Sequence, residues 1–221
     1  MAFFLSSPLQ SLSTLRSTYT SLAPLYDHLV PLVSDRARAL GLSWLEVQNS
    51  ERVLDVGTGT GLALQPLAQP NADGWTDGVD LTPAMLRRAR RRLARVSHEQ
   101  YRLHEAPATA LPFPDSTFDA VFSSYLVDVL PNDQIVPALQ EMHRVLRPHG
   151  RLVLVHMDRP RRPIEHFWTT LGRRLPFLLG GARPVALQDP LQTCGFRVRA
   201  RESCVQAGLR SAVVRATPLQ S

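Results

Sequence analysis

Three glycines and two carboxylates stand at a spacing that suits ligand binding. The stretch VLDVGTGTGLAL (53–64) follows a short apolar run with glycines at alternate positions. Asp55 lies two residues before the first glycine, and Asp80 ends the next apolar run, GWTDGVD (74–80). Glycine lets the chain turn tightly and lets a ligand approach the backbone. A carboxylate at the position of Asp80 can accept both hydroxyls of a ribose.

The spacing of the glycines narrows the class of ligand. Gly57, Gly59 and Gly61 form G-x-G-x-G, whereas proteins that bind a dinucleotide pyrophosphate use G-x-G-x-x-G. An anionic pyrophosphate gains nothing from the carboxylate of Asp55, but a cationic amino-acid group is attracted to it. The pattern therefore predicts a ligand that joins a nucleoside to a positively charged amino-acid tail.

Seven candidate strands alternate with helical patterns. They are RVLDV (52–56), GWTDGVD (74–80), YRLHE (101–105), FDAVFSS (118–124), GRLVLVHM (150–157), FRVRARE (196–202) and SAVVRAT (211–217). Strand–helix alternation predicts a parallel sheet covered on both faces. The last two strands are close enough in sequence to pair as an antiparallel hairpin. We therefore predict an α/β fold, a Rossmann-like, doubly wound, mostly parallel seven-stranded sheet with a C-terminal antiparallel hairpin.

Three helices should support the candidate site. One is expected directly after Gly61. A second is capped by Thr82 and Pro83 and carries an apolar face of Met85, Leu86, Ala89, Leu93 and Val96. A third, PNDQIVPALQEMHRVLRPHG, should run through Leu146 and end before Pro148 and Gly150.

Four motifs in sequence carry a family resemblance. VLDVGTGTG, GVDLTPAMLRRAR, LPFPDSTFDAVFSSYLVDVLP and LQEMHRVLRPHGRLVLVHM follow one another over about residues 50–157. In this order they resemble the class I S-adenosylmethionine-dependent methyltransferases. With YDHL (26–29), they are most similar to the ubiquinone/menaquinone biosynthesis C-methyltransferases and their small-molecule relatives.

The resemblance implies S-adenosylmethionine as cofactor and methyl transfer to a small, apolar or lipid-like acceptor of the quinone or phospholipid type. It also implies a cytoplasmic protein, or one peripheral to the inner face of the membrane. A catalytically inactive, S-adenosylmethionine-binding regulatory protein is the alternative. The quinone enzymes usually carry an FGLRN-like stretch where this chain has SYLVDVLP, and this difference counts against a quinone acceptor.

The resemblance also assigns roles to residues. It implies cofactor contacts for Asp55, Gly57, Thr58, Gly59, Gly61, Asp80, Leu81, Met85, Ala106, Ala108 and Ser123. Met85 is equally well explained as a core residue. Pro107 stands where relatives often carry an adenine-binding Asp, so that contact is expected from the main chain of its neighbours or from the carboxylate of Glu105. The catalytic candidates are His156, Tyr125 and Tyr26, with His28, His166 and Asp128 as further candidates, and no bound metal is predicted.

The whole chain, 1–221, is predicted to be a single domain. Its parts are a helical cover (1–50), a cofactor-binding core (51–157), a substrate lid (158–190) and the hairpin (191–221). The lid segment mixes apolar side chains with six arginines. These residues would suit an ordinary helical cover of the sheet equally well. As a lid, the segment could also rest on an anionic membrane surface. An apolar acceptor would be bound by Phe3, Phe4, Leu5, Leu22, Leu25, Tyr26, Phe167, Trp168, Phe177, Leu178 and Leu179.

Composition excludes several other classes of function. All 25 basic residues are arginine and the net charge is +6, but the arginine-rich run RRARRRLAR (87–95) lies opposite an apolar helix face and has no interleaved aromatics. We therefore expect a solvated helix face and no nucleic-acid partner. Two cysteines are too few for a disulfide scaffold and indicate a reduced compartment. The oligomeric state is left open.

Overall fold

A single mixed sheet organises the molecule. The computed structural model describes residues 11–174 and 181–219. The strands are β1 Arg52–Val56, β2 Trp75–Asp80, β3 Tyr101–Glu105, β4 Phe118–Ser124, β5 Leu146–Met157, β6 Phe196–Gln206 and β7 Leu209–Pro218. Their order across the sheet is β3-β2-β1-β4-β5-β7-β6. Strands β1 to β5 are parallel, and β7 pairs antiparallel with both β5 and β6. The predicted fold class is confirmed.

Helices cover both faces of this sheet. Within the described residues they are α1 Leu12–Leu29, α2 Pro31–Leu45, α3 Leu64–Ala68, α4 Pro83–Leu93, α5 Asn132–Val145, α6 Pro163–Arg174 and α7 Gln188–Thr193. One core cluster joins α5 and α7 to the face that carries Leu54 and Leu154. A second joins α2 to the opposite face, which carries Val53 and Val155. Both faces of the central strands are buried, as their unbroken apolar runs predict.

The sheet has one reversal of strand order, and the glycine loop lies beside it. β1 pairs with β2 on one side and with β4 on the other. In doubly wound sheets, ligands bind beyond the carboxyl ends of the strands at such a reversal. The turns after β1, β2 and β4 are therefore the elements that position the site.

Two expectations about local structure are wrong in detail. The helix that follows the glycines, α3, begins at Leu64 and not directly after Gly61, and it is only five residues long. The cause lies in the loop, because three positive-φ glycines hold the chain in turns up to Ala63. Helix α5 ends at Val145, and Leu146 already pairs with Phe118 as the start of β5. The residues around Pro148 then bulge before pairing resumes at Arg151, so a proline expected to end a helix lies in an irregular strand.

Helix α4 forms where its sequence predicts. Thr82 occupies the N-cap position, although its side chain makes no capping hydrogen bond, and Pro83 is the first helical residue. The apolar face is buried at Met85, Leu86, Ala89 and Leu93, and Val96 packs on Leu93 just beyond the helix.

Candidate functional site

The glycine loop is built by three glycines that serve different purposes. All have φ between +55° and +79°, a region that side chains disfavour. A Cβ on Gly61 would lie 3.2 Å from the backbone of Ala89, and one on Gly57 would lie 3.0–3.2 Å from the side chain of Leu126. A Cβ on Gly59 would meet nothing nearer than the Gly57 oxygen at 4.0 Å. Gly61 and Gly57 thus permit close packing, while Gly59 faces open space that a ligand can fill.

Main-chain hydrogen bonds fix the loop to the neighbouring strand. The N–H groups of Gly57 and Thr58 both donate to the Val79 oxygen, at 2.8 and 2.9 Å. The Asp80 carboxylate accepts the N–H of Gly59 through Oδ2 and that of Thr82 through Oδ1, each at 2.8 Å. Burial raises the pKa of Asp80, and these hydrogen bonds partly offset the rise. We call Gly57–Gly59 with Asp80 the cleft floor.

Asp55 is a buried carboxyl with unused hydrogen-bonding capacity. It is 1% exposed, and its Oδ2 accepts the Thr58 hydroxyl at 2.7 Å. Its Oδ1 has no hydrogen-bond partner within the described part of the chain. Burial raises the pKa of Asp55 to about 7, with the charge of Asp80 adding to the rise and the Thr58 hydrogen bond opposing it. A cationic group close to this carboxyl would favour its ionised form.

A cleft opens above the floor, with about 640 Å³ of empty space that includes open solvent at its mouth. Eight of the predicted site residues line it: Gly57, Gly59, Asp80, Leu81, Ala106, Ala108, Tyr26 and Tyr125. Pro107 lies with Ala106 and Ala108 on the same wall. The predicted adenine wall is therefore apolar here, and Glu105 beside it pairs with Arg16 instead.

The other predicted site residues do not line the cleft. Asp55 and Gly61 are not among the lining residues, Thr58 is a buried part of the floor, and Met85 is only 1% exposed in the core. Ser123 donates its hydroxyl to the Val56 oxygen at 2.7 Å, while the next residue, Ser124, lines the cleft. The sequence singled out Ser123 of this pair as a cofactor contact, and a shift of one residue along a strand changes the face on which a side chain lies.

Two histidine candidates, His156 and His166, are not among the described residues that line the cleft. His156 is buried, its Nδ1 lies 3.0 Å from the Met157 oxygen, and burial lowers its pKa to about 4. It is therefore a neutral imidazole at physiological pH. His166 is exposed on α6, and the side chain of His28 lies outside the described residues.

Helix α1 forms the opposite wall, which we call the cleft roof. It contributes Leu12, Leu15, Tyr19 and Tyr26. The first three were missed, although their spacing of three and four residues is that of one helix face. The rings of Tyr19 and Tyr26 lie 6.0 Å apart, tilted by 56°. Phe3, Phe4, Leu5, Phe177, Leu178 and Leu179 lie outside the described residues, as do the side chains of Leu25 and Trp168.

Ion pairs tie both ends of the roof to the rest of the molecule. Arg16 lies 2.7 Å from Glu105 at one end, where both side chains are about half exposed. At the other end, Asp27 accepts the Thr60 hydroxyl at 2.5 Å and pairs with Arg92 at 2.9 Å and Arg88 at 3.3 Å. Since Thr60 belongs to the glycine loop, Asp27 connects the roof directly to the floor.

The segment after β4 completes the cleft. Tyr125 has a φ of +58°, its N–H donates to the Val155 oxygen at 2.7 Å, and its hydroxyl lies 2.8 Å from the Ser211 hydroxyl. Three residues further on, Asp128 is fully buried, and its Oδ2 accepts the Met157 N–H at 2.8 Å. Ala182 packs with Leu15 and Val129, so the end of the predicted lid does reach the roof.

The architecture and motifs agree with known proteins. A family profile described as "Methyltransferase domain" matches residues 53–150. The ubiquinone/menaquinone biosynthesis C-methyltransferase UbiE of Citrifermentans bemidjiense is 34% identical over 156 residues, covering 68% of this chain. The match spans 66% of that enzyme's own length, slightly under two thirds.

Two further relatives extend the comparison. A demethylmenaquinone methyltransferase of Thermus thermophilus is 38% identical over 207 residues, covering 82% of this chain and 92% of the relative. The phosphatidylethanolamine N-methyltransferase of Cereibacter sphaeroides is 34% identical over 151 residues, covering 67% of this chain and 71% of the relative.

A solved structure supports the fold. The 1,6-didemethyltoxoflavin-N1-methyltransferase of Burkholderia thailandensis, determined with S-adenosylhomocysteine, superposes with a TM-score of 0.72 at 19% identity over 100% of this chain and 94% of that one. Within 11–174 and 181–219, no helix is both long and apolar enough to cross a bilayer.

Proposed function

The chain belongs to the class I S-adenosylmethionine-dependent methyltransferases, and from that premise we propose that it methylates a small, largely apolar acceptor of the quinone or phospholipid type. S-adenosylmethionine is the cofactor of this family and, when bound, supplies an activated methyl group. The work left to the protein is chiefly to position the acceptor and to exclude competing water.

The residues present fit this cofactor. The unpartnered Oδ1 of buried Asp55 suits the amino-acid ammonium, and the open side of Gly59 suits close approach to the backbone. The two Asp80 oxygens suit the ribose hydroxyls, and the apolar wall at Leu81 and Ala106 suits the adenine ring. These assignments are proposals, and they predict that cofactor affinity depends most strongly on the cleft floor.

The observation that carries the acceptor proposal is the asymmetry of the cleft. Its floor is polar, whereas its roof and the segment after β4 present apolar and aromatic side chains, including Leu12, Leu15 and Leu126. Removing apolar area from water stabilises a complex by about 25 cal/mol per Å², so an apolar acceptor gains from this wall and a small hydrophilic one does not. The named relatives act on quinone precursors or on phosphatidylethanolamine, and both types of acceptor agree with such a wall.

The test of this function is untargeted. The full chain is incubated with methyl-labelled S-adenosylmethionine and a cell extract, and the labelled product is identified. An apolar or lipid-like product is expected. A small hydrophilic product would contradict the acceptor class. Cofactor binding without any transfer would favour the inactive regulatory protein.

We also propose that 158–190 acts as a substrate lid and can rest on an anionic membrane surface. Ile164 and Phe167 of α6 are both more than half exposed, and arginines at 159, 161 and 162 precede them. Trp168→Ala is expected to raise the acceptor KM and to leave S-adenosylmethionine affinity nearly unchanged. Loss of cofactor binding in that variant would identify the segment as a structural cover.

A further inference from the structure

The segment after β4 holds a carboxylate whose burial nothing so far explains. Asp128 is 0% exposed, and its Oδ1 has no hydrogen-bond partner among the described residues. An unpaired buried charge is costly, and such groups are usually paired or serve a ligand. Burial raises the pKa of Asp128 well above its ordinary value, against the opposing effects of the Met157 N–H and Arg183.

Nearby groups anchor Asp128 but leave Oδ1 free. Oδ2 is held by the Met157 N–H. Arg183 is buried, yet its N–H and Nη1 donate to the main-chain oxygen of Asp128, at 3.0 and 2.9 Å, rather than to the carboxylate. The other guanidinium nitrogen, Nη2, donates to Asn132. The carboxylate is therefore fixed in position, and although the charge of Arg183 acts on it, the guanidinium hydrogen bonds of Arg183 go to the Asp128 main-chain oxygen and to Asn132.

Asp128 is not itself a lining residue of the cleft, but other residues of its segment line it. Leu126, Val129 and Leu130 on either side of it line the cleft. Burial is the main cause of the raised pKa values of Tyr19 and Tyr125, and the charge of Asp128 contributes to both. The charge of Asp128 therefore acts on one phenol of the roof and on one phenol of the segment after β4.

A buried carboxylate beside several aromatic rings is a combination that recognises a cation. Aromatic faces attract ammonium groups, and the attraction grows when the site excludes water. Tyr19, Tyr26 and Tyr125 line the same cleft. The chain contains no lysine, and the buried guanidinium nearest to Asp128 is already used by main-chain and amide oxygens.

We propose that Asp128 binds the amine of the methyl acceptor, so that the acceptor is an amphiphile with an apolar chain and a protonated amino group. This inference rests on the proposed function and narrows its acceptor class. The ammonium donates to Oδ1 and passes one proton to the carboxylate, which leaves the nitrogen with a free electron pair. The nitrogen–carbon bond then forms as the sulfur–carbon bond breaks, its electron pair remaining on sulfur as a thioether. The N-methylated product is again cationic, and the proton on Asp128 returns to water.

The test measures binding without turnover. The full chain, saturated with S-adenosylhomocysteine, is titrated with octylamine and with 1-octanol, which share the chain length and differ in charge. The wild type is expected to bind octylamine at least tenfold more tightly than 1-octanol. Asp128→Asn, which keeps the shape and an oxygen for the Met157 N–H, is expected to lose that difference. Asp133→Asn changes an exposed residue in the first turn of α5, is the matched control and should keep the difference.

The other outcomes separate this inference from its alternatives. Equal binding of the two probes by the wild type, or an unchanged amine preference in Asp128→Asn, would overturn it. If Asp128→Asn weakens S-adenosylmethionine but not S-adenosylhomocysteine, the carboxylate serves the sulfonium, and the inference is also wrong. Amine preference that depends on Asp128, in a protein that transfers no methyl group, would leave the inference standing and overturn the proposed function alone.

Discussion

The floor and the roof of the cleft are held by different forces. Main-chain hydrogen bonds join the floor to β2, and the inner residues of β1 and β2 are buried. The roof is joined to the molecule by side-chain ion pairs, of which Arg16–Glu105 is about half exposed. Buried main-chain bonds are little affected by salt, whereas exposed ion pairs are weak and screened. The floor should therefore determine whether a cofactor binds, and the roof how long it stays.

The largest effect is expected at the floor. Asp80→Ala removes the acceptor of the Gly59 and Thr82 N–H groups together with the proposed ribose contacts. Hydrogen bonds to charged groups contribute roughly 1.5–3 kcal/mol, and about 1.4 kcal/mol corresponds to a factor of ten. We expect S-adenosylmethionine affinity, measured by calorimetry, to fall at least tenfold. Asp133→Ala is the control, and unchanged affinity in Asp80→Ala would refute the cofactor assignment.

A second effect should appear as a pH dependence at the floor. Because the pKa of Asp55 is raised to about 7, the free protein holds this proton below that pH. A bound ammonium needs the ionised carboxylate, so cofactor affinity should decrease by up to about tenfold per pH unit below about pH 7. Above about pH 7 it should level off, until the cofactor's own amino group titrates.

Asp55→Asn should remove the decrease of cofactor affinity below about pH 7, while Asp133→Asn should keep it. The same raised pKa has a second consequence in the unliganded protein. The folded state holds the proton more tightly than the unfolded chain, so stability should fall as pH rises from about 4 to about 7. Asp55→Asn should lessen that loss, and chemical denaturation at several pH values would measure it.

A smaller effect is expected where the roof meets the glycine loop. Asp27→Ala removes the contacts with Thr60, Arg88 and Arg92, all of them partly buried. Ion pairs of this kind contribute about 0.2–1 kcal/mol each, so we expect a faster cofactor dissociation rate, by about two- to fivefold, with a nearly unchanged association rate. Stopped-flow fluorescence would measure both, and equal dissociation rates in variant and wild type would show that the roof does not retain the ligand.

The smallest effect should come from the exposed end of the roof. Arg16→Ala breaks the pair with Glu105, which solvent and salt already screen. The dissociation rate should rise less than twofold at low salt and not at all at about 1 M salt. A larger change than in Asp27→Ala would reverse the ranking of the two ends.

These differences also explain what could be read from the sequence. The residues of the floor are close together in sequence. Glycines with positive φ and an acid that ends a buried strand form a recognisable pattern within about 30 residues. The contacts of the roof join residues that are far apart in sequence. Arg16 and Glu105 are 89 positions apart, and neither lies in a distinctive sequence motif. The misplacement of Ser123 has another cause, because a strand's two faces differ by a single residue. Asp128 was identifiable only as a candidate until its burial and its free oxygen were visible.

The position of α1 imposes an order on the catalytic cycle. The helix carries Tyr19 and Tyr26, which line the cleft and which we propose to be part of the acceptor wall, while Asp27 holds the same helix to the glycine loop. Lifting it to exchange the nucleoside would dismantle the acceptor wall at the same time. Steady-state kinetics should therefore be ordered, with S-adenosylmethionine first on and S-adenosylhomocysteine last off. S-adenosylhomocysteine should inhibit competitively against S-adenosylmethionine and non-competitively against the acceptor.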